Sequence, residues 1–238
     1  MMHKIKNLFF WWLDYIYVAW WQMLGYISHY DATQLTKHAD PLLPPILLVP
    51  GVYEKWQFMK PIATLLASQG YAVHVIEGLG YNTGNIEDMA SIVADYINKH
   101  ELRGCVIVAH SKGGLIGKYL LMNRTDDAAI QKMNALNTPF SGSKYAAFLP
   151  LQTIKIFTPS SQIITLLAAH TTTNQYITSI YAAFDPHIPG GSYLEGATNI
   201  RLNIAGHFRI MHNKKVHQAI LDALNASYKS ENEIQKER

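Results

Sequence analysis

The sequence has almost no cysteine: Cys105 is its single thiol. An internal disulfide and a cysteine-ligated zinc site are therefore excluded. Cys105 falls in an apolar run and reads as a small hydrophobe rather than a reactive thiol. Charge is also scarce, at 16% Asp, Glu, Lys and Arg with a formal net of +3. The basic residues are scattered rather than gathered into a stripe, so nucleic acid is not expected as a partner. Internal repeats and low-complexity tracts are lacking too. What remains is a chain of 238 residues, 49% of them hydrophobic, enough for one globular domain with a sizeable core.

The first forty residues differ from the rest. Four of the five tryptophans, Trp11, Trp12, Trp20 and Trp21, lie between Leu8 and Ile27 together with Phe9, Phe10, Tyr15 and Tyr17. A secretory signal needs an uninterrupted apolar centre, and Asp14 interrupts this one. A spanning helix needs about 20 apolar residues, which are present. Placing Asp14 near mid-bilayer would nevertheless cost roughly 2.5–3.5 kcal/mol, and Trp and Tyr prefer the interface. The favoured reading of residues 8–27 is a helix packed on the protein's own body or lying on a membrane surface. The expected location is then cytoplasmic, with peripheral membrane contact left open. A spanning segment would instead hold Lys4 and Lys6 inside and export the body. The expected organisation is an aromatic helix and linker at 1–40, a body at 41–228 and a polar tail at 229–238 that frays. Pro41, Pro44 and Pro45 exclude helix at the entry to the body.

From Ile46 onward, strand and helix patterns alternate. Ile46–Val49, Tyr71–Ile76, Val106–Ala109, Lys132–Leu136, Ile177–Ala182 and Ile200–Ile204 read as strands. Lys55–Ser68, Ile86–Asn98, Gly114–Met122 and Val216–Tyr228 read as helices. The short, wholly apolar strands suit a sheet covered on both faces. The fold class is therefore α/β, a mainly parallel sheet of about six strands with helices on both faces. Right-handed crossovers bring the reactive loops to one edge of such a sheet. Residues 140–173 break the alternation and read as a small cap of one or two short helices. Its apolar side chains, Leu149 among them, are candidates to line an acyl pocket.

The chain's most informative stretch is Val106-Ile107-Val108-Ala109-His110-Ser111-Lys112-Gly113-Gly114. An apolar run enters a serine turn and a helix follows, which is the pattern of a nucleophile elbow. The residues two before and two after the serine must be small, and here they are Ala109 and Gly113. The plainer reading is that Ser111 only caps the helix. A serine nucleophile needs a base, and the base needs an orienting acid. His207 follows the strand Asn199–Ala205 through Gly206 and is the expected base. Asp185 follows the strand Ile177–Ala182 and is the expected acid, with Glu195 in reserve. The order Ser, Asp, His fits this architecture. A tetrahedral oxyanion needs two backbone N–H donors. Lys112, at the helix N-terminus, and Val52, after Pro50-Gly51, are the expected pair. Tyr53, His110, Phe140 and Leu149 are the expected substrate contacts. His187 is close enough to Asp185 to support it or to meet the substrate, though a loop histidine is the favoured reading, and a Ser111–Lys112 dyad is disfavoured because neighbours after an elbow point apart.

Together with Leu136-Asn137-Thr138-Pro139-Phe140-Ser141-Gly142-Ser143, Phe184-Asp185-Pro186-His187 and Ala205-Gly206-His207-Phe208, this stretch resembles the bacterial α/β-hydrolases of the lipase/esterase group. The Ala-His-Ser-x-Gly-Gly form is similar to that of small bacillus-type lipases. The resemblance spans roughly residues 45–225. It departs at Pro50-Gly51, where that group usually has His-Gly, and in the aromatic N-terminal segment. It implies the α/β-hydrolase fold and hydrolysis of carboxylic esters through an acyl-enzyme, with no metal or cofactor and with a small or lipid-like ester as substrate. Thioesterase, lactonase or amidase chemistry could use the same residues. A non-catalytic, membrane-peripheral binding protein on this scaffold is the alternative of a different class. The oligomeric state is not legible.

Overall fold

The computed structural model describes residues 2–27, 30–124 and 129–236. Six strands, β1 Ile46–Val49, β2 Val73–Val75, β3 Cys105–His110, β4 Ile130–Leu136, β5 Ile177–Phe184 and β6 Thr198–Ala205, form one sheet. All neighbours are parallel and the order is β2-β1-β3-β4-β5-β6. The helices are α1 Met2–Ile27, α2 Lys60–Ser68, α3 Ile86–Lys99, α4 Lys112–Met122, α5 Gln152–Lys155, α6 Gln162–Ala169 and α7 Lys214–Lys236.

Every residue of β1 and of β3 is buried, as the unbroken apolar runs require of strands covered on both sides. Alternation along them sorts the core into two layers. Leu47, Val49, Ile107 and Ala109 face α3, α4 and α6 through Val93, Ile116 and Leu167. Ile46, Leu48, Val106 and Val108 face α2 and α7 through Ile62, Leu66, Val216 and Ile220. Cys105 lies wholly inside the first layer, where burial pushes its thiol up to about 12. It is packing, not a nucleophile. α3 is closed at its start by Asn85, whose side chain accepts the Asp88 N–H, and carries Glu87 and Asp88 in its first turn and Lys99 in its last, matching the helix dipole.

Some boundaries differ from those read in the sequence. The helix expected over Lys55–Ser68 is a 3-10 turn at Trp56–Met59 followed by α2, because Pro61 cannot donate to a carbonyl in the preceding turn. β2 is shorter than expected, whereas β4, β5 and β6 are each longer. The linker holds a 3-10 turn at Ala32–Leu35 that buries Leu35. Residues 229–236, expected to fray, continue α7, and no Pro or Gly interrupts them. The remainder of that tail lies outside the described residues. The cap between β4 and β5 consists of a 3-10 turn at Lys144–Phe148, then α5 and α6.

α1 rests on the body. Tyr17, Val18 and Trp21 pack on the α2/α7 layer, and Asp14 is fully buried. Among the described residues no helix is long and apolar enough to cross a membrane.

The register aligns the strand ends. Val49 pairs with Ala109, His110 with Leu136, and Phe184 with Ala205. The residues that follow are Pro50-Gly51, Ser111, Asn137, Asp185 and Gly206-His207, so parallel pairing alone delivers them to one edge.

Candidate active site

β3 ends in a turn that only small neighbours permit. Ser111 sits at φ 49° and ψ −118°, outside the regions open to most side chains, and α4 begins at the next residue. A Cβ on Gly113 would lie 2.1 Å from the Val49 carbonyl oxygen, and one on Gly114 would lie 1.9 Å from Thr138 Oγ1. The two glycines thus let α4 rest directly on β1 and on the 137–139 turn. The Ser111 side chain makes no cap bond to the helix. Its Oγ lies 3.0 Å from His207 Nε2, and His207 Nδ1 lies 2.7 Å from Asp185 Oδ2. Asp185 Oδ1 accepts the N–H groups of His187 (2.8 Å) and Ile188 (3.0 Å), which fixes the carboxylate. All three side chains are nearly buried. Glu195 is not in this line; its backbone carbonyl accepts from Asn174 Nδ2.

Burial alone would lower the His207 pKa. The Asp185 charge and hydrogen bond, with smaller contributions from Glu54 and Asp14, outweigh burial and hold it above its ordinary 6.5. Burial alone would raise Asp185. The His207 imidazole and the His187 N–H outweigh it and hold the carboxyl below its ordinary 3.8.

The loop after β1 is held from both sides. Asn82 Nδ2 donates to Pro50 O (2.7 Å), and Tyr53 N–H donates to Tyr81 O (2.7 Å). Gly51 N–H donates to Glu54 Oε2 (2.7 Å), and a Cβ on Gly51 would meet that carboxylate at 2.8 Å. Val52 lines the same cavity as Ser111. The N–H of Lys112 opens α4, where a helix has no internal acceptor for it. The Lys112 side chain turns away from the serine and donates to Asn82 O (2.7 Å) and to Gly84 O. Burial lowers its pKa to about 8. The structure therefore does not bring the ammonium to Ser111, and no Ser–Lys pair exists.

Two expected substrate contacts are corrected. His110 is fully buried and does not line the cavity. It follows Val106 and Val108 at two-residue spacing, so it faces the α2/α7 side, beneath His207. Its Nδ1 lies 2.9 Å from both Glu54 oxygens and its Nε2 donates to His207 O (3.1 Å). Phe140 packs in the α3/α4 layer, 4% exposed, with no face on the cavity. Tyr53 and Leu149 do line it.

Several contributors were not found in the sequence. Glu54 joins the loop after β1 to His110, and through it to the His207 backbone. Asn137, at φ 43°, donates to Gly206 O (3.0 Å) and His207 O (3.2 Å) and accepts the Ala182 N–H (2.9 Å). Its place after β4, in Leu-Asn-Thr-Pro, was the available signal. Asp14 of α1 accepts the His207 N–H at 2.7 Å. His187 is a wall residue rather than a free loop histidine. Its ring lies 4.9 Å from that of His207 and 4.5 Å from that of Trp11, and its Nε2 lies 3.3 Å from Tyr15 Oη. Burial pushes its pKa to about 3, so the ring is neutral. Asp185, His187 and His207 gather their donor atoms within 4.8 Å of one another. Asp185 Oδ1 accepts two backbone N–H groups and Oδ2 faces His207 Nδ1, so hydrogen bonds within the turn and to the imidazole hold this group together.

Above Ser111 and His207 is a cavity of about 640 Å³. α1 supplies one wall with Trp11, Tyr15 and Val18, and the cap supplies another with Tyr145, Leu149, Ile154 and Phe157. Gln22 of α1 donates to Tyr53 O, tying the helix to the loop after β1. A groove of about 490 Å³ between α1 and residues 209–213 touches none of Ser111, Asp185 and His207.

No protein-family model matches the chain, and no curated protein matches it by sequence. Solved structures do match its shape. The mature lipase BlEst2 of Bacillus licheniformis superposes with a TM-score of 0.60 at 16% identity, covering 79% of this chain and 95% of that one. The enol-lactonase of Burkholderia xenovorans LB400 gives 0.58 at 17% identity, covering 79% and 93%. The monoacylglycerol lipase of Paleococcus ferrophilus gives 0.57 at 15% identity, covering 78% and 96%.

Proposed function

From the α/β-hydrolase fold that this chain shares with those structures, we propose that it is a serine hydrolase of carboxylic esters. The observation that carries the reading is the line Ser111 Oγ–His207 Nε2–Nδ1–Asp185, at 3.0 and 2.7 Å, on the floor of an apolar cavity. Ser111 Oγ attacks the acyl carbon while His207 Nε2 takes its proton. Asp185 fixes the tautomer and stabilises the imidazolium. The N–H groups of Val52 and Lys112 receive the oxyanion, the second at a helix N-terminus that favours negative charge. The tetrahedral species collapses, the C–O bond to the alcohol breaks, and His207 returns the proton to the leaving oxygen. Water then gives a proton to His207 and attacks the acyl-enzyme. Breakdown of that second intermediate frees the acid and restores Ser111. Every step uses groups of this chain and water.

The cavity walls favour a substrate with an apolar acyl group. A fluorophosphonate probe should label Ser111 in the folded protein. In a panel of p-nitrophenyl esters of graded length beside acyl-CoA thioesters, the medium-chain esters should turn over fastest. No labelling would favour a binding role on the same scaffold. A preference for thioesters or lactones would keep the triad and move the substrate class.

The same reading places the working enzyme at a lipid surface. Trp12, Ile16, Trp20 and Met23 are exposed along one face of α1, at 69, 48, 55 and 46%. Tyr15, Tyr145, Phe148, Leu149 and Leu151 are exposed at the cavity itself. The double variant Trp12→Ala, Trp20→Ala should bind phospholipid vesicles about 100-fold or more weakly, since burying each ring contributes about 1.5–3 kcal/mol. Turnover of a soluble short-chain ester should be unchanged. Equal vesicle partitioning in a flotation assay would remove the lipid surface from the proposal.

A further inference from the structure

We infer that Asp14 is a positioning residue for His207, which makes α1 part of the active site rather than an appendage to it. The inference rests on the reading of His207 as the general base.

Asp14 is fully buried in the most aromatic segment of the chain. A carboxylate in that setting is costly unless donors surround it. Here they do, and they all come from the turn that carries His207. Asp14 Oδ2 accepts the His207 N–H at 2.7 Å. Oδ1 accepts the Arg209 N–H at 3.2 Å and lies 3.4 Å from Arg209 Nε. Two backbone N–H groups converging on one anion form a small anion nest. Gly206 is pressed against the carboxylate. It sits at φ +120°, and a Cβ there would lie 2.8 Å from Asp14 Oδ1.

The other side of His207 is held by the body. Its carbonyl oxygen accepts from His110 Nε2 and Asn137 Nδ2. The peptide on its carboxyl side is therefore clamped by β3 and the 137–139 turn, and the peptide on its amino side by α1. The imidazole direction follows from both clamps. A side chain that only docked α1 would need no charge; the neighbouring contacts of Tyr17 with Phe58 and His212, and of Trp21 with His212, already dock it without one.

Asp14 also acts through space. The charged and titratable groups facing His207 are Asp185 after β5, Glu54 in the loop after β1, Asp14 on α1, Arg209 along the same turn, His110 below and His187 beside it. Removing the Asp14 charge takes away one of the three carboxylates that favour the imidazolium.

The test compares wild type, D14N and R209Q by kcat, KM, the pH profile of kcat/KM and the fluorophosphonate labelling rate. Thermal unfolding identifies folded protein. D14N keeps the shape but turns a donor toward the nest. Its kcat should fall about 10²-fold, as expected for a base displaced by about an ångström, with KM within about twofold. Its acid limb should move to lower pH. R209Q should move that limb to higher pH, because the Asp14 carboxylate loses its counter-charge 3.4 Å away and acts on the imidazole with its full charge. If D14N does not fold, the R209Q limb alone decides, and an unmoved limb overturns the inference. D14N labelling at the wild-type rate with an unshifted limb also overturns it, since a docking role alone would move only the melting temperature. A wild type that does not label at all sinks the proposed function instead, and the two failures are thereby distinct.

Discussion

Ser111→Ala is expected to lower ester turnover by about 10⁶-fold and to abolish fluorophosphonate labelling. The fold should not notice the change. The hydroxyl caps no helix, and it meets His207 Nε2. A capping serine replaced by alanine would cost about 1 kcal/mol and lower the melting temperature. Here the loss is one hydrogen bond at a site 8% exposed, and the alanine methyl keeps the strained turn filled. The elbow does not depend on the hydroxyl either, because Gly113 and Gly114 make the room. The N–H groups of Val52 and Lys112 remain in the variant, so a residual acceleration over water of about 10³–10⁴ should persist. Melting curves and turnover measured on the same preparation separate the outcomes. Unchanged melting with turnover near zero is the expected pair. Turnover above about one per cent of wild type would mean that another group attacks the ester.

The sequence carried the sheet well because parallel strands announce themselves. Ile46-Leu47-Leu48-Val49 and the run before His110 are too short for buried helices and too apolar for half-exposed strands. The elbow was legible for a related reason: its strain allows so few residues at positions 109, 113 and 114 that the sequence must display them. Asp185 and His207 were chosen by chain order, and the structure sets His207 between Ser111 and Asp185. What escaped was long-range. Asp14 reads locally as a blemish in an aromatic helix; its partner lies 193 residues away, and no periodicity reports that. Glu54 meets His110 across 56 residues and escaped in the same way. His110 is different, because alternation from Val106 and Val108 already assigns it to the far face of the sheet. Its misreading came from proximity to the serine in sequence, which a pleated strand does not convert into proximity to a ligand. Pro61 likewise marked the break between Trp56–Met59 and α2, and the apolar spacing across it masked the signal.

Asp185→Asn should lower kcat/KM by about 10⁴-fold. The amide can still accept the His187 and Ile188 N–H groups through one oxygen, so the turn after β5 survives. The atom it presents to His207 Nδ1 is then the NH₂ group, a donor. The imidazole must accept at Nδ1 and carry its hydrogen on Nε2, where it opposes the serine proton it is meant to take. The pH dependence should change with the same sign as the electrostatics. On the proposed mechanism the wild-type acid limb should lie above 6.5, since His207 must lose its proton to act and its pKa is raised. In D185N burial is left with less opposition, so that limb moves down. Stability follows by linkage. The raised His207 contributes stability that is complete below 6.5 and is lost as pH rises through its folded value, so wild-type stability should decline over that window. The lowered Asp185 contributes above 3.8, and that part is lost as pH falls through its own folded value. D185N should lack both slopes. A variant that keeps the wild-type acid limb and loses less than about tenfold in turnover would mean that the carboxylate does not govern the imidazole, and the base would then have to be sought elsewhere around Ser111.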